Sequence, residues 1–396
     1  MSGGLDLHAA RALAERPRTA RLLALLDADG EESRIVGGAV RNALVGRPVT
    51  EVDIATTALP EAVGRRARAG GLRAIPTGLA HGTVTVLVDG EAFEVTTLRE
   101  DVATDGRHAA VRFGRDFAAD AQRRDFTVNA LSIGRDGVLH DDTGGLDDLA
   151  ARRMRFIGDP AARIREDYLR ILRFFRFHAA DAEGPLDPAG LDAAIRGRDG
   201  LAILSRERVR AELLKLLATP RAAEVAAAMG ESGLLGRLVA IPGEFGRLGR
   251  AGGDPLLGLA ALFVRETGDA PRLRDALRLS NAETERLAAY GAALARLRSP
   301  AVVDAAELRR TAAVHGVPAL LDALAATAGE PRPRLDREAA ALAGRYGRGD
   351  EGAPVFPLTG ADLVRAGLPP GPEIGRRLAA ERAAWLAAGC PAEVPG

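Results

Sequence analysis

Residues 35–57 read IVGGAVRNALVGRPVTEVDIATT, and this stretch decides the fold. A short apolar run meets Gly37-Gly38. Arg41 follows about one turn later, and the stretch closes on two acids, Glu51 and Asp53, spaced one residue apart. Residues 34–36 read as a strand that the glycine pair breaks. Residues 39–45 read as a helix that Gly46 stops, and residues 49–55 as a second strand. On a strand, positions i and i+2 share a face. Glu51 and Asp53 are therefore expected side by side, with Val52 and Ile54 facing an apolar layer. Two carboxylates this close repel unless a cation lies between them. An oxygen-rich pair suits Mg²⁺, which keeps some water and shares phosphate ligands. Glycines ahead of a helix permit close backbone approach and leave free N–H groups facing a phosphate, with Arg41 in reach of the same anion. Taken singly, the glycines also fit a turn, and the acids a solvated edge strand. Phosphate and metal chemistry is the reading that accounts for all of them at once.

Outward from this unit, residues 60–69 read as a helix opened by Pro60 and closed by Gly70-Gly71. Residues 82–98 carry two alternating β-branched runs around Asp89-Gly90, a strong hairpin signal. In the second run, FEVTTLR, Glu94 alternates with Phe93 and Val95. A strand beside the acidic one would bring Glu94 next to Glu51 and Asp53, as metal support or general base; an exposed surface glutamate is the other reading. Residues 129–134 (NALSIG) read as a further strand, and residues 100–116 as a mobile loop over the site with Arg107 and His108 as contacts. His81 reads as structural, and His140-Asp141 as a turn. Upstream, the first thirty residues read as two helices meeting at Pro17.

Beyond Phe156-Ile157-Gly158 the texture becomes helical throughout, with breaks near Asp199-Gly200, Pro242 and residues 346–357. In EDYLRILRFFRF, Asp167, Arg170, Arg173 and Arg176 recur every third position among leucines and phenylalanines. On a helix, that spacing drifts slowly round one side. Arginines on so apolar a helix need anions or acids to meet them.

Length and composition set outer bounds. A chain of 396 residues implies two to four domains. Basic and acidic residues balance at 54 each, so no global field announces a polyanion partner. Lys215 is the only lysine, so arginine placement carries information where arginine abundance does not. A single cysteine, Cys390, excludes an intrachain disulfide or cysteine-based zinc site and suits a reducing cytosol. The charged N-terminus lacks a signal-peptide stretch, and no window approaches the ~20 apolar residues of a membrane span. A soluble cytoplasmic protein is expected.

In chain order, GGAVRNALVGRPVTEVDIATT, HGTVTV, FEVTTLRED, DGRHAAVRF, RRDFTVNAL and RIREDYLRILRFFRF together resemble the tRNA CCA-adding nucleotidyltransferases of the bacterial and eukaryotic class. These are relatives of the bacterial poly(A) polymerases. The resemblance is dense over 34–217 and looser beyond. It implies an α/β plus all-α protein: a polymerase-beta-like nucleotidyltransferase head with a mixed sheet, followed by a helical neck, body and tail. The implied divisions are 1–30 for an N-terminal helical segment, 31–157 for the head, 158–220 for a neck with the nucleotide-selecting helix, 221–345 for the body and 346–396 for the tail.

The implied activity is template-independent addition of CCA to a tRNA 3′ end from CTP and ATP, with two Mg²⁺ ions and release of pyrophosphate. Poly(A) synthesis, CC-only or A-only addition, and an inactive RNA-binding module remain the alternatives. By position, Glu51 and Asp53 match the metal-binding pair and Glu94 the third carboxylate. Gly37, Gly38 and Arg41 match the triphosphate contacts. Arg123 and Arg124 match phosphate or sugar contacts, with Asp125 orienting one of them and Asn129 reaching the ribose. Asp167 and Arg170, followed by Arg173 and Arg176, match the side chains that read the Watson–Crick edges of the incoming base. Glu51 stands where the family usually has Asp, and Asn42 where it usually has Asp after the arginine. Arg206, Arg208, Arg210, Lys215 and the arginines of 376–382 are candidates for positioning tRNA phosphates. Oligomeric state is not legible.

Overall fold

The computed structural model describes residues 4–79, 82–104 and 109–392. The chain forms two compact units, one ending at Leu204 and the other beginning at Ser205. That division falls inside the segment 158–220.

In the first unit, α1 (Leu7–Glu15) and α2 (Pro17–Leu26) meet at Pro17, as proline at a first helical turn favours. The Asp6 carboxylate caps α1 by accepting from the Ala9 N–H at 2.8 Å, which satisfies one donor of the first turn. Leu13, Leu22, Leu23 and Leu26 are buried beneath the sheet-forming segment. The chain then runs β1 (Ser33–Val36), α3 (Gly38–Leu44), β2 (Val52–Thr56), α4 (Pro60–Ala69), β3 (Arg73–Gly78), β4 (Thr83–Val88) and β5 (Glu91–Thr97). Further on come β6 (Arg99–Thr104), β7 (Ala109–Phe113), α5 (Phe117–Gln122), β8 (Ser132–Gly134), β9 (Leu139–His140) and α6 (Gly145–Ala150). The unit closes with α7 (Pro160–Glu166), α8 (Leu169–Asp181) and α9 (Pro188–Gly197).

Seven strands form one mixed sheet in the order β3-β4-β5-β2-β1-β8-β9. Within it β2 pairs β5 in parallel, and the other pairings are antiparallel. Asp89 and Gly90 both take positive φ, 47° and 84°, the backbone that a two-residue hairpin turn demands. Val52, Ile54, Phe93 and Val95 are buried between the sheet and its helices, which leaves the alternate positions of β2 and β5 on the open face.

Two expectations need correction, and one strand was not read at all. Residues 73–78 form a strand that the alternation rule misses. It lies at the sheet edge and contains Pro76, which an edge position tolerates. The segment 100–116, expected as a loop, instead holds most of the antiparallel pair β6–β7 and ends at Asp116, the cap of α5. Arg107 and His108, like His81, lie outside the described residues. The strand expected over 129–134 begins only at Ser132, because Thr127–Asn129 turn as a short 3₁₀ segment.

The second unit is helical, from Arg206–Leu217 to Pro372–Ala387; an isolated bridge between Val303 and Leu335 is its one strand-like pairing among the described residues. Its interior holds the Arg247–Glu330 ion pair at 2.8 Å and the buried ring of Tyr290. Trp385, the chain's single tryptophan, packs against Phe356 with ring centroids 5.5 Å apart.

Candidate active site

The parallel register of β2 and β5 sets Asp53 directly beside Glu94, with Val52 beside Phe93 and Ile54 beside Val95 on the buried face. Alternation thus carries both carboxylates to the same open side, as the sequence implied. Glu51 precedes the first residue of β2 and is exposed. Its charge still reaches the site. The Asp53 carboxyl is pushed above its ordinary value, first by burial and then by the negative charges of Glu94 and Glu51, while Arg124 pulls it back. Among the described residues no three His, Cys, Asp or Glu side chains close on one point. The acids form an open, mutually repelling arrangement instead of a closed cage. Such a donor set fits a hard divalent cation that keeps water and takes further oxygens from a ligand.

Asp53 and Glu94 line one wall of a cavity of about 500 Å³ whose other walls include Arg99, Asp120, Arg123 and Arg124. Asp120 lies within α5 and is only 3% exposed. One of its oxygens accepts from Arg123 Nε at 2.9 Å and Nη2 at 2.5 Å; the other accepts from Arg124 Nε at 3.3 Å and Nη2 at 3.1 Å. Burial alone would raise the Asp120 carboxyl. The two guanidiniums more than offset it, and its pKa lies below the usual carboxylate value. Sequence reasoning missed Asp120, although its i+3 and i+4 positions relative to Arg123 and Arg124 were a usable helical signal.

Asp125 faces away from the cavity into the protein. Burial opposes its charge, but Arg173, Asn129 and the Phe126 N–H together hold its pKa below the ordinary value. The contacts are Arg173 Nε at 2.7 Å, Asn129 Nδ2 at 3.0 Å and the Phe126 N–H at 2.9 Å. Asn129 in turn accepts from Arg41 Nη1 at 2.5 Å. Arg41 also donates to Asn42 Oδ1 through Nε at 3.3 Å and Nη2 at 3.0 Å, and it lies 3.7 Å from Asp181. Burial lowers the Arg41 pKa, with Asp181 opposing. The residues expected together thus separate into two groups. Asp53, Glu94, Arg123 and Arg124 share the cavity, whereas Arg41, Asn129, Asp125 and Arg173 form a buried chain behind it. Gly37 joins the two: its backbone has φ of 70°, and a Cβ there would stand 3.5 Å from Arg124 Nη1. Gly38 opens α3 beside it.

The segment EDYLRILRFFRF is not one helix. α7 stops at Glu166, Asp167 is extended at φ −154° and ψ 109°, and α8 starts at Leu169. Asp167 accepts the Leu169 N–H at 3.0 Å, a local turn that aspartate makes in competition with helix. Asp167 therefore sits before the helix whose face it was expected to share with Arg170. Arg170 donates to Glu166 at 2.6 Å and, through Nη2, to the Arg123 carbonyl at 3.0 Å, tying α8 to the arginine pair. Arg173 and Arg176 both lie over the Phe177 ring, at 5.2 and 3.8 Å from its centroid, as does Arg41 at 4.9 Å. A second acid that sequence reasoning missed, Asp148, is fully buried; it accepts from Thr127 at 2.7 Å and from Arg155 at 2.8 Å. Asp141 caps the turn into α6 through the Gly145 and Leu146 N–H groups, which accounts for the His140-Asp141 pair. Of the arginines proposed for tRNA phosphates, Arg206 donates to the Asp275 carbonyl, Arg210 pairs Glu283, and Arg376 pairs Glu373.

Two family models match the chain: the poly A polymerase head domain over residues 33–155, and the probable RNA and SrmB-binding site of polymerase A over 187–242. A mitochondrial CCA tRNA nucleotidyltransferase 1 of Danio rerio is 42% identical over 264 residues, covering 64% of this chain and 61% of that protein. A CCA-adding enzyme of Geobacillus thermodenitrificans is 41% identical over 211 residues, covering 53% and 51%. The chain thus spans about half to three-fifths of these curated relatives. The solved Bacillus stearothermophilus CCA-adding enzyme in complex with CTP superposes with a TM-score of 0.73. No helix among the described residues is long and apolar enough to cross a membrane. Since the likeness to that solved enzyme holds at 30% identity across 94% of both chains, the chain belongs to the CCA-adding enzyme family.

Proposed function

We propose that this protein adds CCA to the 3′ end of tRNA without a nucleic-acid template, taking CTP and ATP and releasing pyrophosphate. The observation that carries the reading is the Asp53–Glu94 register on the open face of β2 and β5, set opposite Arg123 and Arg124 across one cavity. Acids for a metal and guanidiniums for a triphosphate thereby meet in a space of nucleotide size. The relatives' names supply the substrate: they are CCA tRNA nucleotidyltransferases and CCA-adding enzymes, one solved with CTP.

In the reaction the tRNA 3′-hydroxyl attacks the α-phosphate, and pyrophosphate departs with the proton balance closed by solvent. Asp53, with Glu94 and Glu51, would hold two Mg²⁺ ions, which supply Lewis-acid charge stabilisation at the attacking and leaving oxygens. Asp53 and Glu94 orient that centre through the sheet. Arg123 and Arg124 donate N–H groups to phosphate oxygens, and their fork geometry suits bidentate contact. Gly37 keeps a side chain out of the approach to Arg124, and Gly38 keeps one away from Arg41. Arg41, Asp125 and Asn129 stiffen the floor behind the arginines. Asp167, Arg170, Arg173 and Arg176 are assigned to base selection: arginine donates to ring acceptors, and aspartate accepts from an exocyclic amine. The helical second unit is assigned to tRNA positioning, and the cytosol is the proposed location.

The test combines purified protein, Mg²⁺ and tRNA lacking its terminal nucleotides with CTP, ATP or both, read at single-nucleotide resolution. Two additions with CTP alone and a halt at three with both support the proposal. Long adenylate tails on unrelated RNA would assign the chain to the poly(A)-synthesising relatives whose head-domain model it matches. An arrest after two additions, with ATP present, would reassign it as a CC-adding enzyme.

A further inference from the structure

Asp120 neither faces solvent nor touches Asp53 or Glu94, yet it decides where the two cavity arginines point. Resting on the reading above, we propose that Asp120 is a positioning residue that ties Arg123 and Arg124 back from the metal-binding carboxylates, so that the site stays open to a cation and a triphosphate. The cavity brings Arg123 and Arg124 into the same 500 Å³ as Asp53 and Glu94. Opposite charges facing each other across so small a space gain by closing on one another. A site that closed this way would be self-occupied, and metal and nucleotide would each have to break an ion pair to enter.

Each oxygen of Asp120 instead takes one guanidinium by its Nε and Nη2 edge. Arg123 is fixed further by donating Nε to the Arg99 carbonyl at 3.1 Å, and Arg124 by donating Nη1 to the Asn129 carbonyl at 3.5 Å. One carboxylate shared by two guanidiniums leaves the trio with a net positive charge, suited to an anionic phosphate. Burial matters as well. At 3% exposure Asp120 has little water to substitute for either arginine, so the clamp persists whether or not a ligand is present. Donors held in place before the ligand arrives cost no reorganisation when it binds.

The test reads binding separately from catalysis. Calorimetric titration of Mn²⁺, and then of CTP with Mn²⁺, is run on the full chain without tRNA for wild type, Asp120→Asn and Asp120→Glu. Asp120→Asn is expected to weaken Mn²⁺ about tenfold and to raise the Kd for CTP by ~10–100-fold, the range seen for partners that orient a ligand-holding group. In a separate tRNA-extension assay its kcat is expected to fall less than its KM for CTP rises. Asp120→Glu, which keeps the charge, is expected to return Mn²⁺ affinity to within about threefold. Affinities of Asp120→Asn within twofold of wild type, with only its melting temperature lowered, would make Asp120 a structural cap and overturn the proposal.

If Asp120→Asn does not fold, Arg124→Gln decides. Arg124 already tied back implies a Mn²⁺ affinity changed less than about threefold, whereas a tenfold gain would mean that the guanidinium competes with the metal, and the proposal falls. Wild-type protein that binds Mn²⁺ and CTP but does not extend tRNA removes the functional reading and leaves this one standing. Wild-type protein that binds neither overturns both.

Discussion

Replacing Arg173 by Met strips a buried carboxylate of the first unit, Asp125, of its charged partner. Asp125 would lose the Nε bond at 2.7 Å and the Nη2 contact at 2.6 Å, keeping only Asn129 at 3.0 Å and the Phe126 N–H at 2.9 Å. Removing one partner of a buried ion pair costs about 3–5 kcal/mol. Arg173's side chain is 32% exposed, so water can replace part of what is lost. The expected destabilisation is therefore about 2–3 kcal/mol near pH 7, or roughly 30–150-fold in the folding constant. The pH dependence has a definite sign. In wild type the Asp125 pKa is depressed, so its contribution is complete above the unfolded value of 3.8 and lost as pH falls through the folded one. Without Arg173, burial raises that carboxyl, and the variant recovers by protonating. The gap between the two proteins should narrow from pH 7 to pH 4.5. Far-UV circular dichroism during urea denaturation measures it; Trp385 lies in the second unit and separates that transition by fluorescence. A double-mutant cycle with Asp125→Asn should give a coupling of about 2 kcal/mol. A cost below about 0.5 kcal/mol, or a gap independent of pH, would refute the ion-pair argument.

Asp53→Asn should lower nucleotide addition by more than ~100-fold, because losing even a partner behind a metal ligand costs 10–100-fold. The same change relieves repulsion: the penalty on ionised Asp53 is present above its raised folded value and absent below 3.8, so the variant should be the more stable protein at pH 7 but not at pH 3.5 in thermal melts. Gly145→Ala would drive a Cβ into the Thr127 carbonyl, and calorimetry should show a loss of about 1–3 kcal/mol. In the second unit, the Tyr290 hydroxyl is buried without a hydrogen-bond partner, and burial pushes its pKa up to about 12. Tyr290→Phe should leave stability unchanged or raise it by up to ~1 kcal/mol by Trp385 fluorescence; a loss greater than that would mean that the hydroxyl is satisfied.

Much of the head was legible because its signals are local. Pro17, the Gly37-Gly38 break, the Pro60–Ala69 helix and the Asp89-Gly90 turn each depend on neighbours within a few positions, and each stands where the chain chemistry put it. Alternation also gave the faces of β2 and β5 correctly, and with them the approach of Glu94 to Asp53. What escaped depends on partners distant in sequence, or on side-chain bonds and burial that periodicity does not register. β3 is half exposed and carries proline, so only its pairing with β4 makes it a strand. The ribbon β6–β7 owes its form to cross-strand closure more than to an apolar face. The helical reading of Asp167 failed because periodicity does not register a side chain that takes its own backbone N–H two residues on. Arg41, assigned by position to the phosphates, also bonds Asn129 and Asn42, partners that only the tertiary fold supplies together. Asp120 and Asp148 drew no reading, because their burial shows only in the fold.

The parallel pairing of β2 with β5 also orders events during synthesis of the chain. Parallel neighbours cannot be joined by a tight turn, so α4, β3 and β4 must all emerge from the ribosome between Asp53 and Glu94. A nascent chain that has reached only Asp89-Gly90 holds Asp53 without its rival carboxylate and can fold β1 against β2 free of that repulsion. Glu94 then arrives flanked by Phe93 and Val95, whose seating against Val52 and Ile54 fixes the register and forces the acids together. The electrostatically strained pair is thereby assembled after β1 and β2, by apolar contacts on the opposite face of β2 and β5.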